Sequence, residues 1–142
     1  MLKMEDSRVK HSIEVARKME ELALEIKPGD VEFAQDMFSL GLVHDMGYQF
    51  SKKPEDHAII GGNILKRQGY KYWKEVHDHS NPDTSYRSTA LDILNTADML
   101  TGPAGEDLTI HERLNDIKNR YGKDSIQYIN AHIICQQLEL IN

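Results

Sequence analysis

A chain of 142 residues with 39% hydrophobic and 28% charged content has the length and composition for one hydrophobic core, and so for a single domain over 1–142. Its net charge of −6, from 17 basic and 23 acidic side chains with no lysine- or arginine-rich stripe, argues against a nucleic-acid surface. No apolar run approaches the roughly 18–20 residues of a membrane span. MLKMEDSRVK lacks a signal-peptide core and Cys135 has no second cysteine to pair with, so a cytoplasmic location is expected.

Strand signals are nearly absent and helix punctuation is frequent, which predicts an all-α bundle of about six to seven helices. Ser7 is placed to cap a first helix reaching Ile26, with Ile13, Ala16, Met19, Leu22, Ala23 and Ile26 along one face. After the turn KPGD, Asp30 caps a second helix that carries Phe33, Met37 and Leu40 and ends on His44-Asp45, with Gly47 as its C-terminal cap. A third helix is expected over about 55–68, stopped by Gly69, and a short fourth around Tyr72–His77 before the turn SNPD. A fifth covers roughly 88–100 and is broken by TGPAG. Thr109-Ile-His-Glu112 is a capping box for a sixth, and Asp124-Ser-Ile-Gln127 repeats the arrangement for a seventh. The last of these, IQYINAHIICQQLEL, is apolar enough to close the core or to form a homodimer contact.

The seven histidines are unevenly placed. His11 lies on the first helix, His44 beside Asp45 ends the second, His57 opens the third, His77 and His79 close the fourth, and Asp98 sits among apolar neighbours late on the fifth. Imidazole and carboxylate without thiolate suit first-row divalent ions: iron, manganese, cobalt, nickel or zinc. Adjacent helical residues point about 100° apart, so His44 and Asp45 share an ion only if other helices converge on it. Any one of these side chains alone reads better as a hydrogen-bonded core residue than as a ligand; the joint pattern is what points to a metal. His111 and His132 fall on helices outside the constellation and read as surface or packing residues.

In order, RVKHSIEVA, LGLVHDMG and ILNTADML resemble the motifs of the HD superfamily of metal-dependent phosphohydrolases, over His11 to about Leu100. HAIIGGNIL and VHDHS are similar to the further segments of its binuclear branch, among them bacterial enzymes that split diadenosine tetraphosphate symmetrically. Tyr48 departs from that pattern by standing where many HD enzymes have lysine, and MLTGPAGED lacks an expected arginine.

The resemblance implies one ion held by His11, His44, Asp45 and Asp98 and a second held by Asp45, His57 and His79, with Asp45 bridging and His79 chosen over His77. It implies two divalent ions per chain, iron or manganese first, and a metal-activated hydroxide attacking a phosphoester or phosphoanhydride in a small nucleotide-like substrate. Arg8, one helical turn before His11, is the basic side chain expected to assist, ahead of Lys52, Lys53, Lys66, Arg67 and Arg87. Asp78 is a candidate to orient a ligand or act as general acid, and Tyr48, Tyr70, Tyr72 and Trp73 are candidates to stack on a base or to pack between helices. The alternatives left open are a non-catalytic regulatory module that keeps the metal, and a di-iron oxygenase of the same fold.

Overall fold

The computed structural model describes residues 5–142. Seven α-helices run in order: α1 Asp6–Ile26, α2 Val31–Val43, α3 His57–Arg67, α4 Trp73–Asp78, α5 Thr89–Met99, α6 Ile110–Tyr121 and α7 Ile126–Gln137. Single turns of 3-10 helix cover Met46–Gln49 and Pro54–Asp56, and no strand occurs among the described residues. The expected all-α bundle is therefore what the chain forms.

Two helix starts follow the predicted chemistry. Asp30 accepts from the Phe33 N–H at 3.0 Å, and at Thr109 both capping-box bonds form, Glu112 N–H to Thr109 Oγ1 at 3.1 Å and Thr109 N–H to Glu112 Oε1 at 3.0 Å. Two expectations shift. Ser7 lies inside α1, which starts after Glu5 with no side-chain cap. At α7 the cap is Ser125, whose Oγ accepts from Tyr128 N–H, and not Asp124.

The buried stripe of α1 is also rotated from the expected one. It runs through His11, Val15, Met19 and Ala23, with Ser12 and Ala16 beside them, whereas Ile26 is 52% exposed. The reason is the packing of α1 against both α2 and α5, which covers two adjoining rows of the helix and leaves its end in solvent. The 11-15-19-23 row carries His11 into the interior along with the apolar side chains.

Val15, Met19, Met37, Leu40, Val76 and Leu94 are fully buried in the core that α1 to α5 share. Each such side chain contributes about 1.5–3 kcal/mol of transfer free energy. A second, smaller cluster around Leu114, Ile117, Ile134 and Cys135 joins α6 and α7 to Met99 at the end of α5. α7 thus closes a core of its own chain.

Two glycines set the spacing around the future site. A Cβ on Gly41 would sit 2.5 Å from Ala16 Cα, so α1 and α2 cross where neither backbone can carry more bulk. Gly47 was expected to end α2 as a left-handed cap. Instead α2 ends at Val43, four residues earlier, and Gly47 lies in the following 3-10 turn against the His57 carbonyl and the Gly61 N–H. Close approach of that turn to α3, rather than a positive φ, is what requires glycine there.

Candidate metal centre

The ends of α2 and α4, the start of α3 and the interior rows of α1 and α5 meet at one place. His11 faces it from α1, and His44 and Asp45 from the turn after α2. His57 is the first residue of α3, His79 follows the last residue of α4, and Asp98 lies one residue before the end of α5. His44 is wholly buried, His11, Asp45 and His79 nearly so, and Asp98 and His57 partly.

Asp45 is the hub. Its Oδ2 lies 3.2 Å from His44 Nε2 and 3.5 Å from His11 Nε2. Its Oδ1 lies 3.2 Å from His57 Nε2 and 3.3 Å from His79 Nε2. One carboxylate oxygen therefore faces each pair of imidazoles. Asp98 Oδ1 completes the first pair, 2.9 Å from His11 Nε2 and 3.6 Å from His44 Nε2.

The outward nitrogens explain why all four imidazoles present Nε2. His11 Nδ1 donates to the Gly102 carbonyl at 2.8 Å, His44 Nδ1 to Gly41 at 2.7 Å, His57 Nδ1 to Pro54 at 2.8 Å and His79 Nδ1 to Val76 at 2.6 Å. A carbonyl can only accept, so each Nδ1 carries a proton, and Nε2 is the nitrogen each ring turns inward as the candidate ligand atom. Orienting a ligand through its second nitrogen is the usual support of a metal-bound imidazole.

Without a cation the centre is poorly satisfied. His57 Nε2 and His79 Nε2 face each other at 3.3 Å, and the buried His44 Nε2 has no hydrogen-bond partner. Ligand atoms held about 2.1 Å from one ion in a tetrahedron lie roughly 3.4 Å apart. The triangle of His57 Nε2, His79 Nε2 and Asp45 Oδ1 has edges of 3.2, 3.3 and 3.3 Å. His11, His44 and Asp98 form a second such group, and His44, Asp45 and His79 also converge closely enough to hold an ion. The donors present fit hard-to-borderline divalent metals, with nitrogen and oxygen and no sulfur.

The charges respond accordingly. Burial disfavours the imidazolium of His11 and His44, but the nearby carboxylates overcome it: Asp98 raises the pKa of His11, and Asp45 raises that of His44 strongly. Burial likewise opposes ionisation of Asp45 and Asp98, yet the surrounding imidazoles hold both well below the ordinary carboxylate range. The cavity is built for negative carboxylates facing a positive neighbour.

Further side chains brace the ligand-bearing residues. Ser80 adopts a left-handed backbone, φ 60°, stabilised by its N–H to Asn95 Oδ1 at 2.9 Å, and its Oγ donates to Asp98 Oδ2 at 3.2 Å. Lys18 Nζ donates to the Leu100 carbonyl at 2.7 Å and to Thr101 Oγ1 at 3.0 Å, next to the Gly102 carbonyl that orients His11. Sequence reasoning passed over Ser80, Asn95 and Lys18. Asn95 had a visible signal, a polar residue three positions before Asp98 in an apolar helix; the backbone carbonyls had none.

Other candidates lie elsewhere. His77 turns away, donating from Nδ1 to Asp78 Oδ1 at 2.6 Å, and Asp78 Oδ2 accepts from Thr84 at 3.0 Å. Asp78 is thus engaged with the loop after α4, outside the histidine cluster. The chain turns from helical to extended at His79, ψ 144°, which parts the two neighbours. Tyr70, Tyr72 and Trp73 pack against the core, and Tyr48 stacks on His57 beneath Arg8. Burial, helped by the Asp45 charge, pushes the Tyr48 phenol up to about 12, so it stays neutral. Arg87 pairs with Asp92, Lys66 covers the Trp73 ring, and His111 is exposed. His132 packs beside Tyr128 on α7. No described helix is long and apolar enough to cross a membrane.

A family model described as HD domain matches residues 8–134. No curated protein and no solved structure matches the chain.

Proposed function

The chain belongs to the HD domain family, and we propose that it is a metal-dependent phosphohydrolase that cleaves a phosphoester or phosphoanhydride in a small, nucleotide-like substrate. The observation that carries this reading is the Asp45 carboxylate, with Oδ1 toward His57 and His79 and Oδ2 toward His44 and His11. In this reading His11, His44, Asp45 and Asp98 hold one divalent ion, and Asp45, His57 and His79 hold a second. A pair of such ions supplies Lewis acidity toward phosphoryl oxygens and lowers the pKa of water at neutral pH.

The protein's own groups do the rest. The four backbone carbonyls hold every Nδ1 and so aim every Nε2 inward, which preorganises the site before substrate arrives. Ser80 fixes the second oxygen of Asp98, leaving Oδ1 to face the imidazoles. Arg8 offers a permanent positive charge beside the centre, and the neutral Tyr48 phenol excludes water from one face of His57. An acidic chain of net charge −6 needs such local positive potential to receive a phosphate.

Similarity of the His57 and His79 segments to the binuclear branch favours two ions, iron or manganese, and makes diadenosine tetraphosphate the first substrate to try. The departures at Tyr48 and after Asp98 broaden that trial to other nucleotides. The test is elemental analysis of protein purified without chelator or nickel resin, followed by a nucleotide and phosphodiester screen with the native metal. About two ions per chain with metal-dependent hydrolysis is the expected result. Protein that neither contains nor takes up a divalent ion overturns the reading.

A further inference from the structure

Three of the four inward-facing imidazoles are oriented by their own neighbourhood. His44, His57 and His79 each donate from Nδ1 to the carbonyl three residues earlier, those of Gly41, Pro54 and Val76. Such a bond needs only the local turn. His11 differs: its Nδ1 donates to the Gly102 carbonyl, 91 positions away. The loop 100–107 that follows α5 must therefore be seated on α1 before His11 faces the centre. We infer that Lys18 is a positioning residue that seats this loop, and so governs the ion position at His11, His44 and Asp98 while leaving the one at His57 and His79 unaffected. This rests on the two-ion reading above and adds that its two halves are supported separately.

The Lys18 ammonium is fully engaged, and only with this loop. It has three N–H donors and no acceptor. They meet the Leu100 carbonyl at 2.7 Å, Thr101 Oγ1 at 3.0 Å and Asp107 Oδ1 at 3.0 Å. The side chain is 17% exposed, so a charge this far out of water depends on those partners. Thr101 is wholly buried and donates its own proton to the Ala97 carbonyl at 2.8 Å. Lys18 thereby ties the loop to the last turn of α5, beside Asp98.

The connection from Lys18 to His11 is short. Gly102 follows Thr101 directly, its N–H donates to the Glu106 carbonyl at 2.8 Å, and Thr101 bridges Asp107 across the same turn. The Gly102 carbonyl accepts from Gly105 N–H at 3.0 Å as well as from His11, which uses both its lone pairs. The loop tip rests on α1 as well: a Cβ at Gly105, whose φ is 88°, would lie 3.0 Å from the Lys10 carbonyl. The loop thus grips α1 at Lys10–His11 and again about two turns on, at Lys18.

The test is cobalt(II) titration of the chelated chain, followed by absorbance, beside proton NMR of the imidazole N–H groups without metal. Lys18→Met keeps the apolar stem and removes all three donors. It should weaken one of two cobalt sites by about tenfold or more, as loss of an orienting partner does, and leave the other unchanged. The Nδ1–H signal of His11 should be lost to exchange with water while those of His44, His57 and His79 persist. Gly105→Ala, in the loop and outside the core, strains the backbone and crowds the Lys10 carbonyl, and should reproduce the selective loss even if Lys18→Met fails to fold. A lysine that served the fold alone would weaken both sites together or neither. Either of those outcomes, or a His11 Nδ1–H signal that persists, overturns the inference. The readings fail separately. A parent protein that hydrolyses no phosphate ester loses the enzyme and leaves the Lys18 result standing. A parent that takes up a single cobalt ion loses the two-ion reading, and the His11 signal alone then decides the role of Lys18.

Discussion

The Tyr48 ring lies flat on the His57 imidazole, 3.9 Å between centroids and 7° between planes. His57 is the most exposed of the four converging imidazoles, 16% in its side chain against 7% or less for the others. Stacking on Tyr48 and the Nδ1–H bond to the Pro54 carbonyl together hold it in place. Tyr48→Ala should therefore weaken metal binding about tenfold, the lower range for loss of a group that orients a ligand. Tyr48→Phe keeps the ring and should retain the metal. Competition with a chromogenic chelator measures both, and equal loss in the two variants would assign the effect to the hydroxyl instead.

Ser80 makes two separable contributions. Its hydroxyl steadies Asp98, and its backbone, at φ 60°, sits where a side chain is strained. Ser80→Ala should lower metal affinity about tenfold. Ser80→Gly should lower it equally while raising the unfolding free energy relative to Ser80→Ala by about 0.5–1 kcal/mol, since glycine adopts this φ freely. Metal titration and urea unfolding of the same two proteins separate the effects.

The pH dependence of stability should reverse on metal binding. In metal-free protein, the raised pKa values of His11 and His44 mean that their stabilisation is complete below about 6.5 and is lost as pH rises through the folded values. The depressed values of Asp45 and Asp98 give stabilisation present above 3.8 and lost as pH falls below it toward their folded values. Chelated protein should thus be most stable in mild acid, with Tm falling as pH rises above about 6.5. Metal-loaded protein should show the opposite trend over that range, because ions compete with protons for the same Nε2 atoms. Thermal melts with and without chelator test this; parallel curves would contradict it.

Gly41→Ala should be among the most damaging small substitutions. The added methyl meets Ala16 Cα at 2.5 Å, backbone against backbone, at the largest helix contact of the fold. Separation of α1 from α2 costs core packing, about 3 kcal/mol at the upper range for overpacking. It also shifts the carbonyl that orients His44. Denaturant unfolding should show the loss, and metal affinity should fall along with it.

The helices, the caps at Asp30 and Thr109 and the set of side chains that meet at the centre were legible in the sequence. Local chemistry writes them: Asp30 and Thr109 satisfy free N–H groups within three residues, and the His and Asp residues stand out against apolar neighbours. His77 and His79, with only Asp78 between them, offered no local means of choosing; the turn to extended backbone at His79 separates them. What only the tertiary structure decided is orientation. His11 is aimed by a carbonyl 91 positions away, and Asp98 by a hydroxyl 18 positions away. The Gly47 turn could be assigned its role only once α3 was seen to press against it. A backbone carbonyl carries no residue identity, and a close approach leaves only an unexplained glycine. The sequence alone therefore determines which groups are available for chemistry, and packing between distant segments determines which atom of each group faces the others.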